Sequence, residues 1–322
     1  MERVIDPMAE QRSAWRQQSE TIAFVIMAAA LVVAPFVTYP LFVMQALCFA
    51  LFACAFNLLI GYVGLLSFGH ALYFGWASYV SAYAAKAWGL TPELAILAGT
   101  LTAAVCGAIA GSLAIRRQGI YFAMITLALA QMMYFVAVRA KFTGGEDGIQ
   151  SVPRGHLFGL IELRDQWAMY VVVAAIFLGS FLFIYRIIHS PFGEVLKAIR
   201  ENETRAISLG YKTDRYKLMA FVLSATLAGV AGSTKAIVVG IASLTDVNWP
   251  MSGEVVLMSL VGGLGTIFGP VVGSFVIVTM QYKFAFLGEW VLVIQGVIFV
   301  ACVLLFRRGL VGELAHWLRI KL

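Results

Sequence analysis

The chain has 322 residues, of which 61% are hydrophobic and only 12% charged, with a formal net charge of +6. Its mean hydropathy is +0.88. Soluble domains carry about 25% charged residues, so a water-soluble fold is excluded and the lipid bilayer must be the solvent for most of the surface. The basic residues stand in short segments beside apolar runs. That is the distribution of a topology signal rather than of a nucleic-acid surface, and no nucleic-acid partner is expected.

The apolar runs are long and do not alternate, which favours helices over a barrel; a span takes about 20 apolar residues. The expected fold is all-α: a polytopic transmembrane helical bundle. Segments are read at 22–38, 41–60, 67–86, 93–115, 119–138, 167–189, 216–240, 254–267, 269–284 and 288–306. The pair 254–267 and 269–284 is short and separated by Gly and Pro, so it is a broken helix or a re-entrant pair. Residues 1–21 are polar, with Arg3, Arg12 and Arg16 ahead of the first run. Ala28-Ala29-Ala30 sits in mid-run, a poor cleavage site, so that run reads as an uncleaved first span.

Sidedness follows Lys and Arg. Arg116-Arg117, the 186–217 segment with its seven basic residues, and the tail at 307–322 with Arg307, Arg308, Arg319 and Lys321 belong on the cytoplasmic side. The balanced 139–166 loop and the Lys/Arg-free 241–253 loop belong outside. About ten crossings place both termini in the cytoplasm.

Cys48, Cys54, Cys106 and Cys302 all lie inside apolar runs without a CxxC pair, so neither disulfide nor metal is expected. Lys86, Lys235 and Lys283 lie near predicted ends, where they can snorkel. A charge at the bilayer centre costs about 2.5–3.5 kcal/mol on insertion scales, and the scarcity of central charges argues against a proton-coupled carrier. Gly107-x-x-x-Gly111 and Gly265-x-x-x-Gly269-x-x-x-Gly273 read as helix-packing motifs.

Leu59 to Gly69, with Gly61, Gly64, Ser67 and Gly69, is echoed by Leu260 to Gly269, with Gly262, Gly263 and Gly265. Gly-interrupted segments at matching positions point to a transport site; close helix packing explains the same glycines. His70, directly after the first loop, admits two readings: a substrate contact, or a histidine bonded to a neighbouring helix.

The long polar interruption is Ser190 to Gly210. Ser190 suits the N-cap, Pro191 the first turn and Gly210 a left-handed stop. Phe192, Val195, Leu196, Ile199, Ala206 and Ile207 share one face of a helix predicted over 192–209, with Lys197, Arg200, Glu201 and Arg205 on another. Glu201 precedes Arg205 in the favourable i,i+4 order. Such a helix lies on lipid headgroups or docks a soluble partner. Glu194, Glu201 and Glu203 disfavour an anionic leaflet.

Three blocks carry a family resemblance: Asn57 through His70; Thr143-Gly144-Gly145-Glu146-Asp147-Gly148-Ile149; and Leu196 through Glu203, continuing with Ala206, Leu209-Gly210, Tyr216-Lys217-Leu218, Ala220 to Ala225 and Ala228 to Gly232. Together they resemble the branched-chain amino acid ABC permease family of the LivM type, over about residues 22–306. The resemblance implies an inner-membrane permease without its own ATPase site, for branched-chain or other hydrophobic amino acids. It implies four partners: a second, LivH-type permease, two ATP-binding subunits holding ATP-Mg, and a periplasmic substrate-binding protein. It implies ATPase coupling through Glu194, Lys197, Ala198, Arg200, Glu201, Asn202, Glu203, Arg205, Ala206 and Gly210. Gly61, Gly64, Ser67, Gly69, His70, Gly262, Gly263 and Gly265 are candidates for the translocation path, and Gly144, Gly145, Asp147 and Gly148 for a surface facing the binding protein. No G-x-x-x-x-G-K-[ST] loop is present; Gly229 to Lys235 lacks the Gly-Lys pair. Urea or short-amide uptake within the family, and an ion-coupled secondary transporter, are the alternatives.

Overall fold

A computed structural model of the chain describes residues 7–157, 159, 161–288, 290–305 and 309–317. Arg3, Arg307, Arg308, Arg319 and Lys321 lie outside the described residues.

The helices follow the apolar runs: α1 (Pro7–Val37), α2 (Pro40–Tyr62), α3 (His70–Lys86), α4 (Pro92–Ala114), α5 (Ile120–Arg139), α6 (Gln166–Ile188), α7 (Pro191–Glu201), α8 (Glu203–Ser208), α9 (Thr213–Val239), α10 (Leu244–Val247), α11 (Trp249–Gly262), α12 (Gly269–Phe284), α13 (Trp290–Leu305) and α14 (Gly309–Trp317). A two-stranded antiparallel hairpin, β1 (His156–Leu157) and β2 (Ile161–Glu162), interrupts the α5–α6 connection. Among the described residues, α2, α4, α5, α6, α9 and α12 with its following turn are long and apolar enough to cross a membrane. Thr21–Val37 and Val293–Cys302 are shorter apolar helical stretches. The chain is a multi-pass membrane protein of the all-α class.

Helix α2 is apolar all round and buried almost throughout, as such a helix must be. It packs with α6, α9, α11 and α12. Helix α4 inverts the pattern of soluble helices. Its buried stripe is small, made of Ala95, Gly99, Ala103, Gly107, Ala110, Gly111 and Ala114, whereas Leu94, Leu97, Leu101, Val105, Ile109 and Leu113 face outward. In lipid no hydrophobic drive holds helices together, so close backbone approach does. A Cβ on Gly111 would stand 2.8 Å from Phe221 Cδ1 of α9. Gly107-x-x-x-Gly111 is therefore a packing motif on α9.

The broken pair is a helical hairpin. Gly262 abuts Gly269 and Gly273 abuts Met258, which puts α11 and α12 antiparallel around a tight turn at 263–268. The first helix thus ends at Gly262, not at 267. Of the three spaced glycines, Gly269 and Gly273 pack, while Gly265 shapes the turn with φ +77°. Helix α14 folds back beside that turn, with Gly309 against the backbone of Gly262 and Gly263.

The loops gather at two ends. At one, Ile149 and Ala242 exchange backbone hydrogen bonds of 2.9 Å, and Val152 N donates to Gly240 O at 3.0 Å, joining the 139–166 loop to the 241–253 segment. At the other, Gln118 beside Arg116-Arg117 donates to Glu203 of α8 at 2.7 Å. The polar N-terminal segment expected over 1–21 is helical from Pro7 onward and continuous with α1.

Lys235 does not snorkel. It is buried, and its Nζ donates to both carboxylate oxygens of Asp246, at 2.8 and 2.6 Å. The reason is that α10 turns back into the bundle. Asp246 closes a capping box with Ser243, and Val247 lies against Gly75 of α3.

Candidate functional site

The polar segment is built as its caps demand. Ser190 Oγ accepts from Gly193 N, Pro191 opens α7, and Gly210 closes α8 with φ +90°. The single helix expected over 192–209 is, however, two. Asn202 leaves the helical region at φ −157° and ψ 98°, and its Oδ1 accepts from Arg205 N at 3.0 Å. An Asn side chain that competes for backbone donors caps a new helix more readily than it continues an old one. The break removes the i,i+4 register of Glu201 and Arg205, and no ion pair joins them among the described residues. Glu194 instead pairs with Lys197 at 2.8 Å, and Glu203 with Lys217 of α9 at 2.5 Å.

Leu196, Ile199 and Ala206 are the buried anchors of this segment, and Phe192 stacks on Tyr216 of α9. Glu194, Ala198, Glu201, Asn202, Arg205 and Gly210 are exposed, together with Ile207, Leu209 and Tyr211. The result is a mixed charged and apolar surface projecting from one end of the bundle.

Directly above α7 the two glycine loops meet. Asn57 of α2 holds them together: its Nδ2 donates to Thr266 O at 2.9 Å, and its Oδ1 accepts from Gly265 N at 3.1 Å. Gly64 (φ +82°) and Gly265 (φ +77°) both adopt the left-handed conformation that side chains resist. Arg200 runs beneath them. A Cβ on Gly64 would lie 3.2 Å from Arg200 Cγ, and one on Gly265 3.2 Å from Arg200 Nη1. Arg200 Nη1 donates to Gly61 O. The structure thus brings Gly61, Gly64 and Gly265 to one seam, with Gly262 and Gly263 at the adjoining end of α11, and sets a residue of the polar segment against it. Beside Gly64 an apolar crevice of about 460 Å³ opens toward Phe122 and Met124 of α5.

The remaining loop residues sit deeper. Ser67 is buried, and its Oγ accepts from Gly69 N at 3.2 Å. Gly69 lies against the Thr126 carbonyl, where a Cβ would approach to 2.7 Å. His70 is fully buried: its Nε2 meets Ser224 Oγ at 2.9 Å, and Phe56, Tyr73 and Phe221 surround it edge-on. It is bonded to a neighbouring helix at the junction of α2, α3 and α9.

The outer-loop block lies at the opposite end. Gly144, Gly145 and Gly148 all have positive φ. Gly148 sits tight against the Ala242 carbonyl, and Asp147 is exposed. This loop is therefore bolted to the end of α9, with Arg154 Nη2 donating to Val238 O at 2.8 Å. The sequence gives Asn57 no role beyond its place in the first block, and Asp246 falls within the 241–253 loop expected outside. An amide inside an apolar run was the available signal for the first.

The chain is 26% identical to the high-affinity branched-chain amino acid transport system permease protein LivM of Escherichia coli (strain K12), over 82% of this chain and 68% of that one. It is 28% identical to the ribose import permease protein RbsC of Bacillus subtilis (strain 168), over 68% and 70%. It is also 28% identical to the probable branched-chain amino acid transport permease protein LivH of Methanocaldococcus jannaschii, over 47% and 48%. Residues 40–303, from the start of α2 almost to the end of α13, match a family profile described as the permease component of branched-chain amino acid transport systems, and the chain belongs to that family.

Proposed function

We propose that this chain is one of two membrane-spanning permeases of an ABC importer in a bacterial inner membrane, and that it moves branched-chain or other hydrophobic amino acids by alternating access. The observation that carries the reading is the α7–α8 segment. It exposes charge and apolar side chains to a soluble partner while its buried face is fixed to α2 and α9. Partner ATPases, holding ATP-Mg, would move that segment. A LivH-type permease completes the path, and a periplasmic binding protein delivers substrate to the 143–150 loop. The α7 end is then cytoplasmic, with both termini on that side after ten crossings. Transport would proceed through rearrangement of packed helices, with no bond made or broken in this chain.

The likeness to a ribose permease supports the transporter class more strongly than the cargo. The test is uptake by proteoliposomes holding both permeases and both ATPases, with binding protein and ATP-Mg supplied. ATP-dependent accumulation of labelled leucine, not displaced by ribose or urea, is the expected result. Accumulation driven by an ion gradient without ATP would overturn the reading.

A further inference from the structure

Arg200 joins two features that the sequence keeps far apart. Asn57 and Gly265 are 208 residues apart in the chain, yet the turn after α2 and the turn after α11 meet, and one arginine covers both. The ends of α2 and α11 present backbone carbonyls with no partner in their own helix, and each such end carries partial negative charge. Arg200 brings a side chain that is always cationic and also planar and forked, so one group can donate to the end of α2 while it lies against the turn after α11. Its stem lies under Gly64, where the absent side chain leaves room, and its guanidinium lies at Gly61 O and beside Gly265. Arg200 keeps part of its side chain exposed; of the other charges of the segment, Lys197 is on Glu194, Glu203 on Lys217, and Glu201 and Arg205 point outward.

We propose that Arg200 is a positioning residue, a clamp that fixes α7 to the converging ends of α2 and α11 at once. A displacement of α7 is then delivered to both glycine turns together rather than to one half of the bundle. Gly64 and Gly265 serve as the receiving joints, since their left-handed backbone and missing side chains let Arg200 seat. Asn57 ties the Gly265 joint to the body of α2. The transport consequence rests on the permease reading; the clamp itself does not.

The test has two arms. In the first, the detergent-purified chain is digested with an endoproteinase that cuts after lysine, and the rate of cleavage at exposed Lys212 is compared between wild type and Arg200→Met. Loss of one charged hydrogen-bonding anchor should raise that rate about tenfold. In the second, the full complex is reconstituted and substrate moved per ATP hydrolysed is measured. Arg200→Met should retain co-purifying ATPases while that ratio falls about tenfold, with Arg200→Lys in between. Gly265→Ala, whose methyl displaces the guanidinium, should move both readouts in the same direction. An unchanged cleavage rate overturns the clamp, whether the ATPases stay or are lost. A raised rate with an unchanged transport ratio overturns its role in transmission. If wild type itself shows no ATP-driven uptake, the permease reading fails and the cleavage arm alone decides the clamp.

Discussion

Lys235 and Asp246 form a two-pronged ion pair inside the bundle, with both side chains almost fully removed from solvent. Removing one member leaves a buried charge alone, which costs about 3–5 kcal/mol. Lys235→Ala and Asp246→Ala should each lower the yield and unfolding midpoint of the purified protein sharply. The exchange Lys235→Asp with Asp246→Lys should recover part of that loss, and Lys235→Met with Asp246→Leu most of it. Equal damage from the singles and the neutral double would show that the pair is not what stabilises α10.

Asn57 gives a finer test at the opposite end. Its amide both donates to Thr266 O and accepts from Gly265 N. Asn57→Asp keeps the acceptor but turns the donor into a second oxygen facing a carbonyl. It should destabilise by about 1–3 kcal/mol, the cost of an unsatisfied buried group, and by more than Asn57→Ala does. Thermal unfolding in detergent ranks the two; a more stable aspartate variant would refute the assigned amide geometry.

Small residues on α4 are predicted to hold that helix by contact with α9. Gly111→Leu forces a branched side chain into Phe221 and Leu218 and should cost about 1–3 kcal/mol from overpacking. Gly179→Leu on α6 meets nothing within 4 Å and should be neutral. Equal thermal shifts would discard the stripe as the reason for the packing.

Sidedness is checked by labelling. Ser208 and Thr245 are both exposed, at opposite ends of the bundle. With single cysteines in a cysteine-free background, an impermeant thiol reagent added to intact cells should label Thr245→Cys and spare Ser208→Cys. Labelling of both alike is the outcome the proposed orientation does not survive.

The exposed charges of the α7–α8 segment carry the last prediction, which follows from the proposed coupling. Glu201→Lys, Arg205→Glu and Ala198→Trp alter a surface without touching its buried anchors. Each should leave the protein in the membrane while reducing stimulation of the partner ATPases by loaded binding protein, through charge or steric mismatch. Undiminished stimulation in all three would assign this face to lipid headgroups.

Much of this architecture was legible, for physical reasons. Membrane spans announce themselves because lipid leaves a helix no other way to satisfy its backbone. The caps Ser190, Pro191 and Gly210 were readable because each answers a local geometric demand. The Gly and Pro between α11 and α12 marked a break, though not that the halves fold into a hairpin. What stayed hidden was long-range or competitive. Helical periodicity carried the eye across Asn202, where a capping side chain wins over continuation. Lys235 sat near a helix end, as a snorkelling residue does, and only the return of α10 supplies its counter-ion. The meeting of Arg200 with two glycine turns depends on tertiary approach that no local pattern encodes.

The ion pair of α9 and α10 also bears on how the chain is made. Asp246 follows Lys235 by only 11 residues. During synthesis the cation therefore enters the membrane machinery with its counter-ion close behind, and the two neutralise each other inside one short stretch of nascent chain. A lysine whose partner lay in α2 or α13 would instead have to find it across an unfinished bundle. This buried cation thus depends little on the order in which the other helices arrive.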